Sequence, residues 1–318
     1  MRISCITYVP RKTRKVKHYV ILSSTLVIGV VLLIMLVSIY VGWSLTHPKK
    51  MDIPAFSANI VPEYKDATFL DTSGKVTLRG WFFDTKGSDK TIILAHGYKQ
   101  NRLEFGENTL NLIKSCLNKG YNFLAFDFRN CGLSGGNLTS VGLYEQYDLL
   151  GAIKYAKAQG SKHIILLGYS MGASTSILAA SESKDVDAVI ADSPFANLND
   201  YLNKQLPVWS KLPAVPFNKA ILFSMKTLTG VDPDKVSPKD VIAKMAPTPL
   251  LLIHSKDDKQ VSVDNSKQLY DIYSKIVGNK VEFWETSGVD HVGSYEKAPN
   301  EYMDRLFNFL DKVYAKRK

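Results

Sequence analysis

His163-Ile164-Ile165-Leu166-Leu167-Gly168-Tyr169-Ser170-Met171-Gly172-Ala173-Ser174-Thr175-Ser176-Ile177-Leu178-Ala179-Ala180-Ser181 is the stretch that decides how this chain folds. His163–Leu167 is a near-continuous apolar run and reads as a strand. Met171–Ser181 is rich in small residues and reads as a helix. Gly168-Tyr169-Ser170-Met171-Gly172 sits at the junction. A G-x-S-x-G pattern alone is weak, because glycine and serine are common. Placed between a strand and a helix, it fits a turn that projects a serine above the carboxyl end of a sheet. Such a turn strains the serine backbone and tolerates only minimal side chains two residues either side.

Outward from this turn the chain alternates strand and helix. Asp66–Leu70 and Val76–Phe83 flank Asp71-Thr72-Ser73-Gly74 and predict an antiparallel hairpin. Strands are predicted at Thr91–Ala95, Tyr121–Phe126, Val186–Ala191, Pro249–Ile253 and Val281–Trp284. Between them lie a helix with Leu110, Ile113 and Leu117 on one face, then Leu143–Ala158, Val263–Val277 and a final Asn300–Val313. Apolar strands alternating with helices predict a mainly parallel sheet covered on both faces, with the hairpin as its antiparallel edge. Residues 195–248 interrupt the rhythm with six prolines and with Trp209, Phe217 and Phe223. An insertion of that length between two strands predicts a small helical cap.

A serine hydroxyl at neutral pH needs a base, and the base needs an orienting group. Of the six histidines, His18 and His47 flank an apolar run, while His96, His163 and His254 sit at strand ends as structural residues. His291 lies in the Gly288–Gly293 loop, beyond every candidate acid, and is the expected base. Asp258, following the strand Pro249–Ile253, is the expected acid, with Asp257 and Asp192 as rivals. An oxyanion hole needs two backbone N–H donors. Met171 supplies one, and Tyr98, in Ala95-His96-Gly97-Tyr98, is placed to supply the other.

The N-terminal part is of another kind. From Tyr19 to Thr46 there is no charged residue or histidine, and Val20–Trp43 would extend about 36 Å as a helix, more than a hydrocarbon core of about 30 Å. The run exceeds a secretory h-region and no clear cleavage site follows it, so a retained anchor is expected. The formal charge is +10, of which residues 1–18 contribute six basic residues and no acid. The basic excess is therefore mainly a leader property. It argues against nucleic acid as a partner and puts the N-terminus in the cytoplasm and the body outside the cell membrane, as a single-pass protein. The expected division is a basic leader 1–18, an anchor 19–46, a tether 47–63 and a catalytic domain 64–318 with its cap at 195–248. The anchor is expected to make no chemical contribution, leaving a domain from about Val61 that stands alone. Cys5, Cys116 and Cys131 show no CxxC spacing and make neither a metal site nor a disulfide framework; Cys116 and Cys131 read as buried thiols, with a bridge between them the alternative for a body outside the cell, and no metal or other cofactor is expected.

Six motifs occur here in the order of the α/β-hydrolase superfamily: His96-Gly97, Asp127–Gly136, Gly168–Gly172, Asp192–Phe195, His254–Val261 and the His291 loop. The chain resembles the bacterial membrane-associated branch, similar to serine aminopeptidase, prolyl-oligopeptidase-like and monoacylglycerol-lipase-like hydrolases, over about residues 64–314. The resemblance implies an eight-stranded, mainly parallel α/β-hydrolase fold with a helical cap, preceded here by the one transmembrane helix. It implies a Ser170–His291–Asp258 triad, an oxyanion hole at Tyr98 and Met171, and acyl transfer through an acyl-enzyme. Ser255 and Asn130 depart from the pattern, standing where relatives usually have glycine. The substrate class implied is a small-molecule ester or related acyl compound. A short-peptide substrate is the alternative, with Asp232 and Asp234 the nearest paired acids to grip an amine. An inactive scaffold used as a binding module is a third reading.

Overall fold

The computed structural model describes residues 13–56 and 60–315; the first twelve residues of the expected leader, Cys5 among them, lie outside the described residues. In chain order the elements are helix α1 (Thr13–Thr46), strands β1 (Lys65–Leu70), β2 (Thr77–Phe83) and β3 (Lys90–Ala95), α2 (Glu107–Asn118), β4 (Asn122–Asp127), α3 (Glu145–Ala158), β5 (His163–Tyr169), α4 (Met171–Glu182), β6 (Val186–Asp192), α5 (Leu198–Ser210), α6 (Ala214–Ser224), α7 (Pro238–Val241), β7 (Leu250–Ser255), α8 (Asp264–Val277), β8 (Val281–Thr286), α9 (Ser294–Lys297) and α10 (Pro299–Ala315).

The eight strands form one sheet in the order β1-β2-β4-β3-β5-β6-β7-β8. β1 pairs antiparallel with β2, and β2 with β4; every later pairing is parallel. Side chains of successive strand residues point to opposite faces, so the apolar strands feed two cores. Ile93, Leu124, Leu166 and Val189 face α3, α4 and α8, where Ile153, Ile177 and Leu269 meet them. Ile92, Phe123, Ile165 and Ile190 face α2 and α10, where Ile113, Leu306 and Leu310 close the other side. Both faces being covered explains why these strands read as continuous apolar runs rather than alternating ones.

α5, α6 and the helical turns up to Met245 fill the insertion between β6 and β7. Leu198, Leu202, Leu206, Ile221 and Met225 form a third apolar cluster there, with Val41 and Leu45 of α1 packed against it. α1 carries a run, Val16–Thr46, long and apolar enough to cross a membrane. Its hydroxyls are internally satisfied where Ser23 and Thr25 donate to the carbonyls of Val20 and Ile21. The last turns of α1 present Ser38, Gly42 and Thr46, small residues four apart, toward the rest of the fold; all three are buried. Such a stripe lets helices approach closely. A Cβ on Gly42 would lie 2.6 Å from Ser224 Oγ of α6, and that hydroxyl donates to the Ser38 carbonyl at 3.2 Å.

The chain after α1 is laid along the body. The Thr46 and Pro48 carbonyls accept from Thr139 N–H and Asn130 Nδ2. Lys50 donates to the Ser134 carbonyl, and Ile53, Phe56, Ile60 and Val61 pack against the second core. Cys116 and Cys131 are both free and buried.

Candidate active site

β5 delivers its last residues into a turn that α4 closes. Ser170 stands there at φ 52°, ψ −113°, in the left-handed half of conformational space that non-glycine residues rarely occupy. The flanking glycines are required by contact. A Cβ on Gly168 would come within 2.4 Å of the Gly172 carbonyl, and one on Gly172 within 1.9 Å of the Ala95 carbonyl of β3. The same close approach brings the end of β3, with Gly97 and Tyr98, beside the serine.

Three of the expected residues converge. His291 Nε2 lies 2.7 Å from Ser170 Oγ, and His291 Nδ1 lies 2.6 Å from Asp258 Oδ2. The Asp258 side chain is fully buried and that of His291 nearly so. Asp258 Oδ1 accepts from the amides of Gln260 and Val261, both at 2.8 Å. Burial works to raise the Asp258 pKa, but hydrogen bonds with His254 and His291 and the backbone donors outweigh it and hold the carboxyl well below its usual range. The rivals lie elsewhere. Asp257 is exposed and accepts the Gly288 amide; Asp192 is buried, accepts from Ser193 Oγ and Tyr302 Oη, and is pushed up to about 6 by burial.

The other strand-end histidines are structural. His254 donates through Nε2 to the Val261 carbonyl at 2.8 Å, 3.2 Å from Asp258 Oδ2, while Nδ1 accepts from Ser266. It thereby steadies the loop that carries Asp258. His96 accepts the Phe128 amide on Nε2 and donates from Nδ1 to the Gly97 carbonyl; burial lowers its pKa to about 4, so it stays neutral.

The two departures from the family pattern find their geometry here. Asn130 adopts φ 56°, a conformation asparagine tolerates better than other side chains. Ser255 uses its hydroxyl to donate to the Val289 carbonyl in the His291 loop. That loop is also joined to the Asp258 loop by Asp290, whose Oδ1 accepts the amides of Lys259 and His291. The Asp127 motif serves a buried ion pair, Arg102 Nη2 to Asp127 Oδ2 at 2.6 Å, which ties the loop after β3 to the loop after β4. Breaking such a pair costs about 3–5 kcal/mol.

A cavity of about 600 Å³ opens over Ser170, with Leu45, Tyr98, Phe195, Trp209 and Met225 in its walls. A larger groove of about 860 Å³, lined by Val186, Pro249 and Val281, lies at the opposite, N-terminal ends of β6, β7 and β8, away from where α/β sheets place their sites. Of the Ser170 cavity residues that were not foreseen, two bear on the site. Glu104 lines it and accepts the Gly97 amide on Oε2 at 2.6 Å. Burial, reinforced by Asp192 and Glu296 against the pull of that hydrogen bond, pushes Glu104 up to about 8. Its sequence signal was an acid between two apolar residues, Leu103 and Phe105. Leu45 is the other: it belongs to α1, and its carbonyl accepts from Tyr98 Oη at 2.6 Å. The N-terminal helix, expected to make no chemical contribution, thus lends the cavity a wall residue and a backbone acceptor but no side chain to the Ser170–His291–Asp258 contacts.

The amide of Met171, at the first position of α4, is among those a helix leaves without an intrahelical acceptor. The Tyr98 and Met171 residues both border the cavity beside Ser170.

Residues 90–220 match the model of the alpha/beta hydrolase fold family. The Bacillus subtilis protein YqkD is 33% identical over 253 residues, covering 78% of this chain and 80% of that protein. The chain belongs to the α/β-hydrolase family. A Pyrococcus furiosus esterase has the same fold with a TM-score of 0.69 and 31% identity, over 84% of this hydrolase and 98% of that chain. The mouse lysophosphatidylserine lipase ABHD12 is 28% identical over 198 residues, 60% of this chain; the hydrolase spans about half (48%) of that relative's length. With these relatives the hydrolase is esterase- and lipase-like, a class that acts on small molecules.

Proposed function

We propose that this hydrolase cleaves carboxylic esters through an acyl-enzyme formed on Ser170. The observation that carries the reading is the unbroken chain of contacts from Ser170 Oγ through both nitrogens of His291 to Asp258. His291 takes the serine proton on Nε2 as Oγ attacks the ester carbonyl, and returns it to the leaving alkoxide. Asp258 keeps Nδ1 protonated, leaving Nε2 as acceptor, and stabilises the imidazolium that forms. The Met171 and Tyr98 amides receive the oxyanion. Water then repeats the sequence to release the acid. Such a constellation is what an active enzyme needs, and it weighs against the reading as an inert scaffold.

An ester substrate is favoured over a peptide. Asp232 is engaged by Lys226 and Asp234 by Asn199, and neither lines the cavity, whose walls are largely apolar and aromatic. α1 is read as a retained span, with the cytoplasm at its N-terminal side and the catalytic domain 64–318, capped at 195–248, outside. Its docking supports retention: cleavage after the span would strip Leu45 from the cavity wall. The test is a series of p-nitrophenyl esters of increasing acyl length beside aminoacyl anilides. Turnover of the esters with little or none of the anilides is expected, and the opposite preference would overturn the reading.

A further inference from the structure

Large apolar side chains left in solvent are unevenly distributed. Outside α1, eleven are exposed among the described residues, and five of them, Val208, Trp209, Val215, Phe223 and Leu228, fall within 21 residues of the cap. Val215 is 83% exposed and Phe223 65%. Exposed apolar side chains concentrated in one short segment point to something that covers them there. α1, which packs along α6, indicates what covers it. A hydrocarbon core of about 30 Å takes about 20 residues, so a span that begins at Tyr19 leaves the core near Ser38. Ser38 and Gly42 are the residues that touch Ser224 at the end of α6. A span so placed would set Phe223, the neighbour of Ser224, where acyl chains meet headgroups, the level that the exposed rings of Tyr40 and Trp43 on α1 also favour. Trp209 is at once exposed and a wall of the Ser170 cavity.

We propose that this face of the cap rests in the boundary layer of the bilayer beside α1, so that the Ser170 cavity opens onto that layer and receives acyl substrates from the membrane. The proposal rests on the reading of α1 as a retained span and of Ser170 as the esterolytic residue. Val215 and Phe223 do not line the cavity, so they can be changed without touching the chemistry.

The test uses the full chain in phosphatidylcholine vesicles, with Val215→Asp/Phe223→Asp compared against wild type. Hydrolysis of vesicle-dissolved p-nitrophenyl palmitate is expected to fall about tenfold or more, as charge on an interfacial apolar face weakens its insertion. Hydrolysis of water-soluble p-nitrophenyl butyrate should stay within about twofold, because the catalytic groups are untouched. Equal effects on both substrates, or none on either, would overturn the proposal. A nitrobenzoxadiazole label on Phe223→Cys, in a Cys5→Ser background, should be quenched by shallow spin-labelled lipid, whereas the same label on Ile276→Cys should not. Alkaline carbonate separates the premises: release of the wild-type chain from membranes defeats the span reading, while retention with an unquenched Phe223 label defeats this proposal alone.

Discussion

Replacing Asp258 by asparagine probes the account at its most constrained point. Asp258 Oδ1 is held by two amides, those of Gln260 and Val261, at 2.8 Å each. Only an oxygen can accept both, so the carboxamide introduced by Asp258→Asn is forced to keep its oxygen there. Its NH2 group then occupies the place of Oδ2, facing His291 Nδ1 across what is now a 2.6 Å contact. Two donors cannot face each other, so His291 must present a lone pair at Nδ1 and carry its proton on Nε2. That nitrogen then donates toward Ser170 instead of accepting from it, and the base is lost without loss of the fold. A tautomer trap of this type lowers kcat by about 10⁴. Asp257→Asn is the matched control. Its exposed carboxylate accepts the Gly288 amide, an interaction an amide oxygen reproduces, and turnover should fall less than about tenfold, a surface substitution having little effect. The assay is kcat for a soluble p-nitrophenyl ester on both variants, with matching thermal melts to show that each is folded. Near-wild-type turnover of Asp258→Asn, or a greater loss in Asp257→Asn, would refute the reasoning.

Gly172→Ala should destabilise the protein by more than about 3 kcal/mol in denaturant titration, because the added methyl meets the Ala95 carbonyl, which β3 cannot withdraw. Glu104 is protonated more tightly in the fold than in the open chain, so its contribution to stability declines as pH rises from the ordinary carboxyl range to about 8. Tm measured across that interval should fall less steeply in Glu104→Gln than in wild type, and identical slopes would remove the buried acid from the account. A chain beginning at Val61 loses the Leu45–Tyr98 bond and the packing of Ile53 and Phe56. Its Tm should drop by more than about 4 °C, with altered acyl-length preference; unchanged stability and preference would show that α1 and the segment after it are dispensable.

The strands and helices were legible because burial on both sheet faces writes itself as apolar runs, and because Gly168, Ser170 and Gly172 can be together only where strand, turn and helix meet this closely. The convergence of Asp258, His291 and Ser170 followed from chain order, since each lies just past a strand's carboxyl end. What the sequence hid is what depends on approach between distant segments. Nothing in Tyr19–Thr46 distinguishes Leu45 from its apolar neighbours; its place in the cavity wall goes with the seating of Ser38 and Gly42 of α1 against Ser224 of the cap. Glu104 belongs to no motif in the sequence, and only the fold turns it toward the Gly97 amide. Conversely, Asn130 looked like a departure, yet its φ of 56° is one that its side chain accepts.

The central claim is that the Ser170 hydroxyl, made nucleophilic by His291, is the atom that is acylated. The most direct measurement is peptide mapping by mass spectrometry of the full chain after reaction with a fluorophosphonate. The account predicts one adduct per chain, carried by the peptide containing Ser170, absent in Ser170→Ala and strongly slowed in His291→Ala. Turnover of esters should fall by about 10⁶ in the serine variant. A folded wild-type chain that takes no label, or takes it on a residue other than Ser170 while Ser170→Ala still hydrolyses esters, would contradict it.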